Sequence, residues 1–419
     1  MNNMDGKDVP KHFHLLSFEG PDAYARAGGI ASRVTGLAES LVEHGHRTSL
    51  WFVGDPELPG CEIRAGVRLR RWCQWISRYH PAGVYDAEDA KCADYATSLP
   101  PYLLNEEILP ALAEGVGRIV VLAEEWQTVH AVLHLDWLLR RHGVRDRVSI
   151  FWNANNTFGF DRVDWPRLAA AATLVTVSRY MKQQMRAWGV DPLVIPNGLA
   201  RESFAPPCSA AVNELCQRFR QRTLLTKVAR WDPDKRWLLT IDTVALLKRE
   251  GRAPLLVARG GVEAHEREVL VRARSAGLRI SERHIDTPDI RSLLAALADH
   301  ESTDLLVLRT HLTPEVRSLL FRAADAVLAN SAHEPFGLVG LEAMAVGGLA
   351  CTGASGEDYA VDGENALVLQ REDPREFFSL FARLQSREGR AAELRRSGMR
   401  TAQLYAWERV VERSLLPRI

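Results

Sequence analysis

Short apolar runs alternate along the chain with longer stretches in which apolar residues recur every three or four positions. "HFHLLSFEG" and "TSLWFVG" have the look of buried strands, and "GGIASRVTGLAESLVEHG" between them has helical periodicity closed by a glycine. The same strand and helix alternation returns in "GRIVVLAEEW", "QTVHAVLHLDWLLRRHG", "VSIFWNANN", "AATLVTVS", "RYMKQQMRAWG" and "PLVIPNG". This is the pattern of an α/β domain with a doubly wound parallel sheet wrapped by helices, closing near residue 198.

After a polar, proline-bearing loop, "ESFAPPCSAA", the alternation restarts with "RTLLTKVAR", "KRWLLTIDTVALLKREG", "APLLVARGG", "DLLVLRTHL", "TPEVRSLLFRAA" and "DAVLANS". A second doubly wound domain follows, and two such domains are expected to face each other across a cleft, with ligands at the carboxyl ends of the strands. The closing stretch "AAELRRSGMRTAQLYAWERVVERSLL" reads as helix, and at least one of its aromatics, Tyr405 and Trp407, is expected to pack on another element. No repeat of solenoid type interrupts this organisation.

Composition narrows the field. A length of 419 residues exceeds one ordinary core, and 46% hydrophobic with 25% charged residues fits packed domains rather than disorder. Lys plus Arg and Asp plus Glu both number 53, so no overall field draws the chain to nucleic acid or to an anionic membrane. Any anion must be held locally. The six cysteines have neither paired nor metal-site spacing and read as reduced packing residues in a cytoplasmic protein. The polar start "MNNMDGKDVPKHFH" is unlike a secretory leader, and no run reaches the length of a membrane span, which leaves peripheral membrane contact open.

Three stretches carry candidate chemistry. In "SAHEPFGLVGLEAMAVGG", Glu334 falls in the turn after a buried strand, Gly337 opens a helix, and Glu342 lies further along it. Uncommitted amides at such a helix start attract a diphosphate, leaving the two carboxylates to accept hydrogen bonds from sugar and ribose hydroxyls. In "VARWDPDKRW", Arg230 ends a strand and Lys235 follows a tight turn, so two cations stand where a diphosphate could be clamped. Asp232 and Asp234 between them read as turn residues rather than metal ligands. In "YARAGGIASRV", Gly28 and Gly29 permit close backbone approach at a helix start, without forming a dinucleotide fingerprint. His130 and His134 lack the glutamate of a zinc-binding helix, and the basic, aromatic "RLRRWCQWISRYH" reads as a strand and a solvated loop.

Together these stretches resemble the retaining GT-B glycosyltransferases of the large group 1 (family 4-like) type. "EPFGLVGLEAMA" is similar to that family's spaced glutamate pair, "ARWDPDK" to its Arg and Lys phosphate clamp, and "IPNGL" to the end of its first domain. "SFEGPDAYARAGGIASRVTGLAESLVEHGH" resembles the opening of glycogen synthases, with Arg26 where a lysine is usual, and "YAWERVVE" resembles a helix that crosses back to the first domain. The resemblance implies two Rossmann-like domains: an acceptor-side domain over residues 1–200, a nucleotide-sugar domain over 201–395, and a C-terminal helix, 396–419, returning to the first.

By the same resemblance the activity is transfer of a hexosyl group from a nucleoside diphosphate sugar to an acceptor hydroxyl, without metal or other cofactor. Glu334, Arg230 and Lys235 would be catalytic. Glu342, Gly28, Gly29, Phe336, Gly337, Leu338 and Asn155 would bind the donor, and Glu125 and Arg26 would lie on the acceptor side. The partners implied are a sugar nucleotide and a sugar, glycan, lipid-linked or small-molecule acceptor, with no nucleic acid. Two departures stand out: Asn153, Ala154 and Asn155 occupy the place of a usual histidine, and "AEEWQT" stands for the family's His-Asp-Trp, so Glu125 replaces an aspartate. A sugar-nucleotide-binding protein with impaired catalysis, or a sugar-nucleotide epimerase of the same fold, are the alternatives.

Overall fold

The computed structural model describes residues 10–298 and 302–419, so part of the polar N-terminal stretch lies outside the described residues. The chain forms two compact units, one of residues 1–198 with 407–419, the other of residues 199–406.

Among the described residues the first unit holds eight strands: β1 (His12–Leu16), β2 (Arg47–Val53), β3 (Cys61–Arg64), β4 (Val67–Trp72), β5 (Ile119–Glu124), β6 (Val148–Ala154), β7 (Thr173–Thr176) and β8 (Leu193–Val194). Their order is β3-β4-β2-β1-β5-β6-β7-β8, parallel throughout except for the β3–β4 hairpin, which the apolar pattern did not announce. The helix Gly29–Glu43 turns Val34, Leu37, Ala38 and Leu41 toward the sheet and ends before Gly45, whose φ of +82° closes it.

The second unit holds β9 (Thr223–Val228), β10 (Pro254–Arg259), β11 (Ile280–Arg283), β12 (Leu305–Leu308), β13 (Ala326–Ala329), β14 (Ala350–Thr352) and β15 (Leu367–Val368), in the order β11-β12-β10-β9-β13-β14-β15. Every pairing recorded in this sheet is parallel. Parallel strands covered on both faces need nearly continuous apolar runs, and β10 and β12 supply them.

The helix Arg390–Gln403 belongs to the second unit, and the chain rejoins the first only at Trp407, later than the expected start at 396. Both aromatics of this region pack. Tyr405 lies against Phe336 and Tyr359, and Trp407 is buried beneath Gly36 and Gly198, where an added Cβ would come within 2.3 and 2.4 Å of its ring. The packing role expected of the cysteines holds for Cys73 and Cys351, which are buried; Cys61, Cys208 and Cys216 are exposed. Among the described residues no helix is long and apolar enough to cross a membrane.

Candidate active site

At the middle of each sheet the strand order reverses, between β1 and β5 in the first unit and between β9 and β13 in the second. Loops leaving two adjacent strands in opposite directions open a crevice at such a point. The residues singled out from the sequence sit largely at these two reversals.

In the second unit the loop after β9 is pinned by its own side chains and neighbours. Trp231 and Trp237 are buried with ring centroids 4.1 Å apart, the Trp237 indole donates to the Arg230 carbonyl at 2.7 Å, and the Trp231 amide donates to Glu263 at 2.9 Å. Asp232 accepts from the Asp234 amide at 2.8 Å, and the Asp234 carboxylate meets the His333 amide and ring at 3.2 and 3.1 Å. Both aspartates are therefore committed to turn geometry, and Asp234 ties the β9 loop to the β13 loop. Across that tie Lys235 Nζ meets Glu334 Oε2 at 2.8 Å, both side chains about four-fifths buried. Arg230 is exposed, and its guanidinium has no partner among the described residues.

After β13 the chain turns through Gly337 at φ +80°, where a Cβ would stand 2.6 Å from Cγ of Glu357. Only glycine fits. The helix Leu338–Ala345 follows with no side chain capping its first turn. Its leading amides and the positive end of its dipole are thus available to an anion. Phe336 is buried against Tyr359 and Tyr405, so it shapes the turn from beneath rather than offering an open face. Leu338, half-buried, opens the helix.

Glu334 and Glu342 do not share a partner. Glu342 meets Arg317 of the helix Pro314–Ala323 at 3.0 Å, and burial raises its carboxyl above the usual range against the pull of that guanidinium. A third carboxylate escaped sequence reasoning. Glu357, in the loop after β14, accepts from the Ser355 amide at 3.1 Å, while its Oε1 is buried without a partner. Burial and the nearby Glu334 push it up to about 7. The glycine-bearing "TGASGED" after an apolar run was its available signal. Beneath the loops Lys227 is fully buried, donating to Leu328 O at 3.1 Å and Asn330 Oδ1 at 2.8 Å, and desolvation lowers it to about 7.

The first unit uses its polar groups on itself. Glu19, just after β1, accepts from the amides of Gly28 at 2.9 Å and Ala31 at 3.1 Å and from the Tyr85 hydroxyl at 2.7 Å. A buried carboxylate thus already occupies the helix start where a phosphate was expected, and the Gly28 amide is taken; Gly29 is exposed beside it. Glu124 pairs with Arg33 at 3.1 Å and accepts from Asn153 and Asn155 Nδ2, each at 2.8 Å, while Arg33 also reaches Asn197 at 2.7 Å. The Asn155 amide group expected to meet a donor is therefore engaged with Glu124.

Glu125 has a strained backbone. Its φ of 67° and ψ of 166° lie in a region suited to glycine. Its Oε1 accepts from the Asn155 backbone at 2.6 Å, and burial pushes the carboxyl up to about 8. Arg26 is exposed and donates to the Pro21 carbonyl at 3.0 Å. His134 binds the Ala96 carbonyl at 2.9 Å and His130 is exposed; no cluster of metal-ligating side chains occurs among the described residues. The expected set is thus split: Arg230, Lys235, Glu334, Phe336, Gly337, Leu338 and Glu342 lie in the second unit, and Arg26, Gly28, Gly29, Glu125 and Asn155 in the first.

The family described as "Glycosyl transferases group 1" matches residues 305–401, a span that includes Arg317, Glu334, Glu342 and Glu357. Similar proteins include a D-inositol 3-phosphate glycosyltransferase of Acidothermus cellulolyticus, 28% identical over 251 residues, covering 58% of this chain and 52% of that protein. One of the same name from Salinispora tropica is 37% identical over 95 residues, covering 22% of this chain and 20% of that protein. The chain therefore aligns with about half or less of the length of the curated relatives it matches.

Solved structures agree over nearly the whole length. The sucrose-phosphate synthase of Thermosynechococcus elongatus superposes with a TM-score of 0.67 at 18% identity, covering 97% of this chain and 98% of that one. The catalytic domain of starch synthase IV from Arabidopsis thaliana, bound to ADP and acarbose, gives 0.64 at 14% identity over 97% and 100%. Two doubly wound units in series, aligned with these structures over 97% of the chain, give the GT-B fold, and within it residues 305–401 match the group 1 glycosyl transferases.

Proposed function

We propose that the protein is a retaining glycosyltransferase that moves a hexosyl group from a nucleoside diphosphate sugar to an acceptor hydroxyl. The observation that carries this reading is the uncapped start of the helix Leu338–Ala345, set beside the Lys235–Glu334 pair and the unengaged Arg230. A leaving diphosphate gathers negative charge as the glycosidic bond breaks. Fixed amides and two cations stabilise that charge without reorganising, which is where most of the rate enhancement of such a reaction lies.

Glu334 would hold Lys235 in place and meet the donor sugar, and Glu342 would release Arg317 to take the ribose. Asp232 and Asp234 are spent on the turn, which supports a metal-independent route through the cations. The relatives' names support a sugar-nucleotide donor: one solved structure is described as trehalose-6-phosphate from E. coli bound with UDP-2-fluoro glucose, and the Anabaena protein Alr3699/HepE is in complex with UDP and glucose. In the first unit Glu125 would face the acceptor, with Arg26 at the rim.

A panel of sugar nucleotides screened by thermal shift, followed by donor hydrolysis and product analysis, tests this. One donor should raise the melting temperature, Glu334→Ala and Lys235→Ala should weaken that effect, and nucleoside diphosphate should be released with the sugar's anomeric configuration kept. Stabilisation without turnover on any acceptor would point to a binding protein. Inverted product would overturn retention, and no stabilisation by any sugar nucleotide would overturn the reading as a whole.

A further inference from the structure

A cavity of about 290 Å³ opens in the first unit at the opposite end of the strands from Glu19 and Glu125. One wall is the start of the sheet, with His12 and His14 of β1, Ser49 of β2 and Arg68 of β4; the other is the helical stretch bearing Glu106, Glu107 and Glu114. Five residues at about 3.3 Å each place His14 on the order of 15 Å from Glu19. This is a separate place from the reversal of strand order.

The sheet wall is made of donors. The Trp51 indole donates to Nδ1 of His14 at 3.3 Å, so the neutral ring carries its proton on Nε2. That Nε2 is buried and has no partner, and such orphaned donors are rare in folded proteins. His12 Nε2 faces the Arg47 guanidinium at 3.4 Å, and since the guanidinium only donates, the His12 proton sits on Nδ1. Burial lowers both imidazoles, His14 to about 4.

The helical wall is made of acceptors. Glu107 is held by Arg68 at 2.9 Å and Arg70 at 2.5 Å, while Glu106 and Glu114 are exposed and have no partner among the described residues. An anion placed here would face three carboxylates, and a cation would face Arg47 and Arg68. Hydroxyl groups, which donate and accept at once, satisfy both walls.

We propose that this cavity binds a neutral polyhydroxylated molecule of monosaccharide size. The volume lies near the lower end of small-molecule sites, as a single sugar ring requires. The site does not depend on the donor chemistry proposed for the second unit.

The test is binding to the full chain without any sugar nucleotide. Glucose, galactose, mannose and myo-inositol would be titrated by calorimetry, with inorganic phosphate and putrescine as anionic and cationic probes and the His14 ring followed by nitrogen-15 NMR. The expected result is saturable binding of at least one polyol that moves the His14 Nε2 resonance. Glu106→Ala combined with Glu114→Ala should weaken it roughly tenfold, the loss of a charge-assisted hydrogen bond. His14→Phe should weaken it further, and Glu334→Ala and Glu125→Gln should leave it unchanged. Binding of phosphate or putrescine in place of polyols, no saturable polyol binding, or polyol binding indifferent to both cavity variants would overturn the proposal.

Discussion

The two units each present a helix start at the point where their strand order reverses, and they treat it in opposite ways. In the first, Glu19 accepts from the amides of Gly28 and Ala31, so the positive end of the helix is neutralised from within. In the second, Gly337 carries no side chain to do this, and the start of Leu338–Ala345 is left for something else. The same secondary structure gives a helix start whose amides a carboxylate accepts from in one unit, and a helix start without a side-chain cap in the other.

The largest break in that comparison should come from the second unit. Glu334→Ala or Lys235→Ala should lower kcat by about 10²–10³, as the loss of one group aimed at developing charge does elsewhere. Steady-state kinetics with the donor found by screening measures this, and losses below tenfold would remove both residues from the chemistry.

Next is the pH dependence of donor binding. Glu357 is raised to about 7, so below that pH it is neutral beside the start of the helix Leu338–Ala345, and above it adds a negative charge there. Affinity for a nucleoside diphosphate should fall severalfold as pH rises through 7, and Glu357→Gln should flatten the profile. Its contribution to fold stability runs the same way: full below the ordinary carboxylate range near 4.5, declining as pH rises toward 7.

In the first unit Glu19→Ala removes a cap and should cost about 1–2 kcal/mol in denaturant unfolding. If the same change tightened nucleotide binding, the Gly28 amides would be a phosphate site that Glu19 blocks, and the contrast between the units would dissolve.

The smallest effect concerns Glu125. Relief of its backbone strain, about 1–3 kcal/mol, is set against a lost hydrogen bond and the added chain entropy of glycine, so Glu125→Gly should be neutral or stabilising by about 1 kcal/mol. With its carboxyl raised to about 8, the wild-type's stability from this group declines as pH rises from the ordinary carboxylate range toward 8, and Glu125→Gln should remove that slope. Thermal unfolding across pH reads both.

What could be read from the sequence was local. The apolar runs of β9 and β13, the Pro-Phe-Gly turn and the cations of "ARWDPDK" depend on neighbours in the chain, and the second-unit cluster could be anticipated from them. What could not be read required pairs distant in sequence. Glu342 meeting Arg317, Glu357 rising beneath Gly337, and Glu19 folding back onto Gly28 are facts of tertiary packing, to which periodicity is blind. Glu125 was visible as a departure from a family pattern, but its strained backbone was not, because nothing in a glutamate announces a conformation suited to glycine.

The order in which the chain visits its two units has a consequence for its synthesis. Residues 199–406 are contiguous, and the segments that leave and return run side by side, with the Leu199 amide on the Tyr405 carbonyl at 2.7 Å. The first unit's core, by contrast, includes Trp407, Val410, Val411 and Leu415. Residues 199–406 are therefore synthesised while the first unit still lacks the side of its core that these four residues supply.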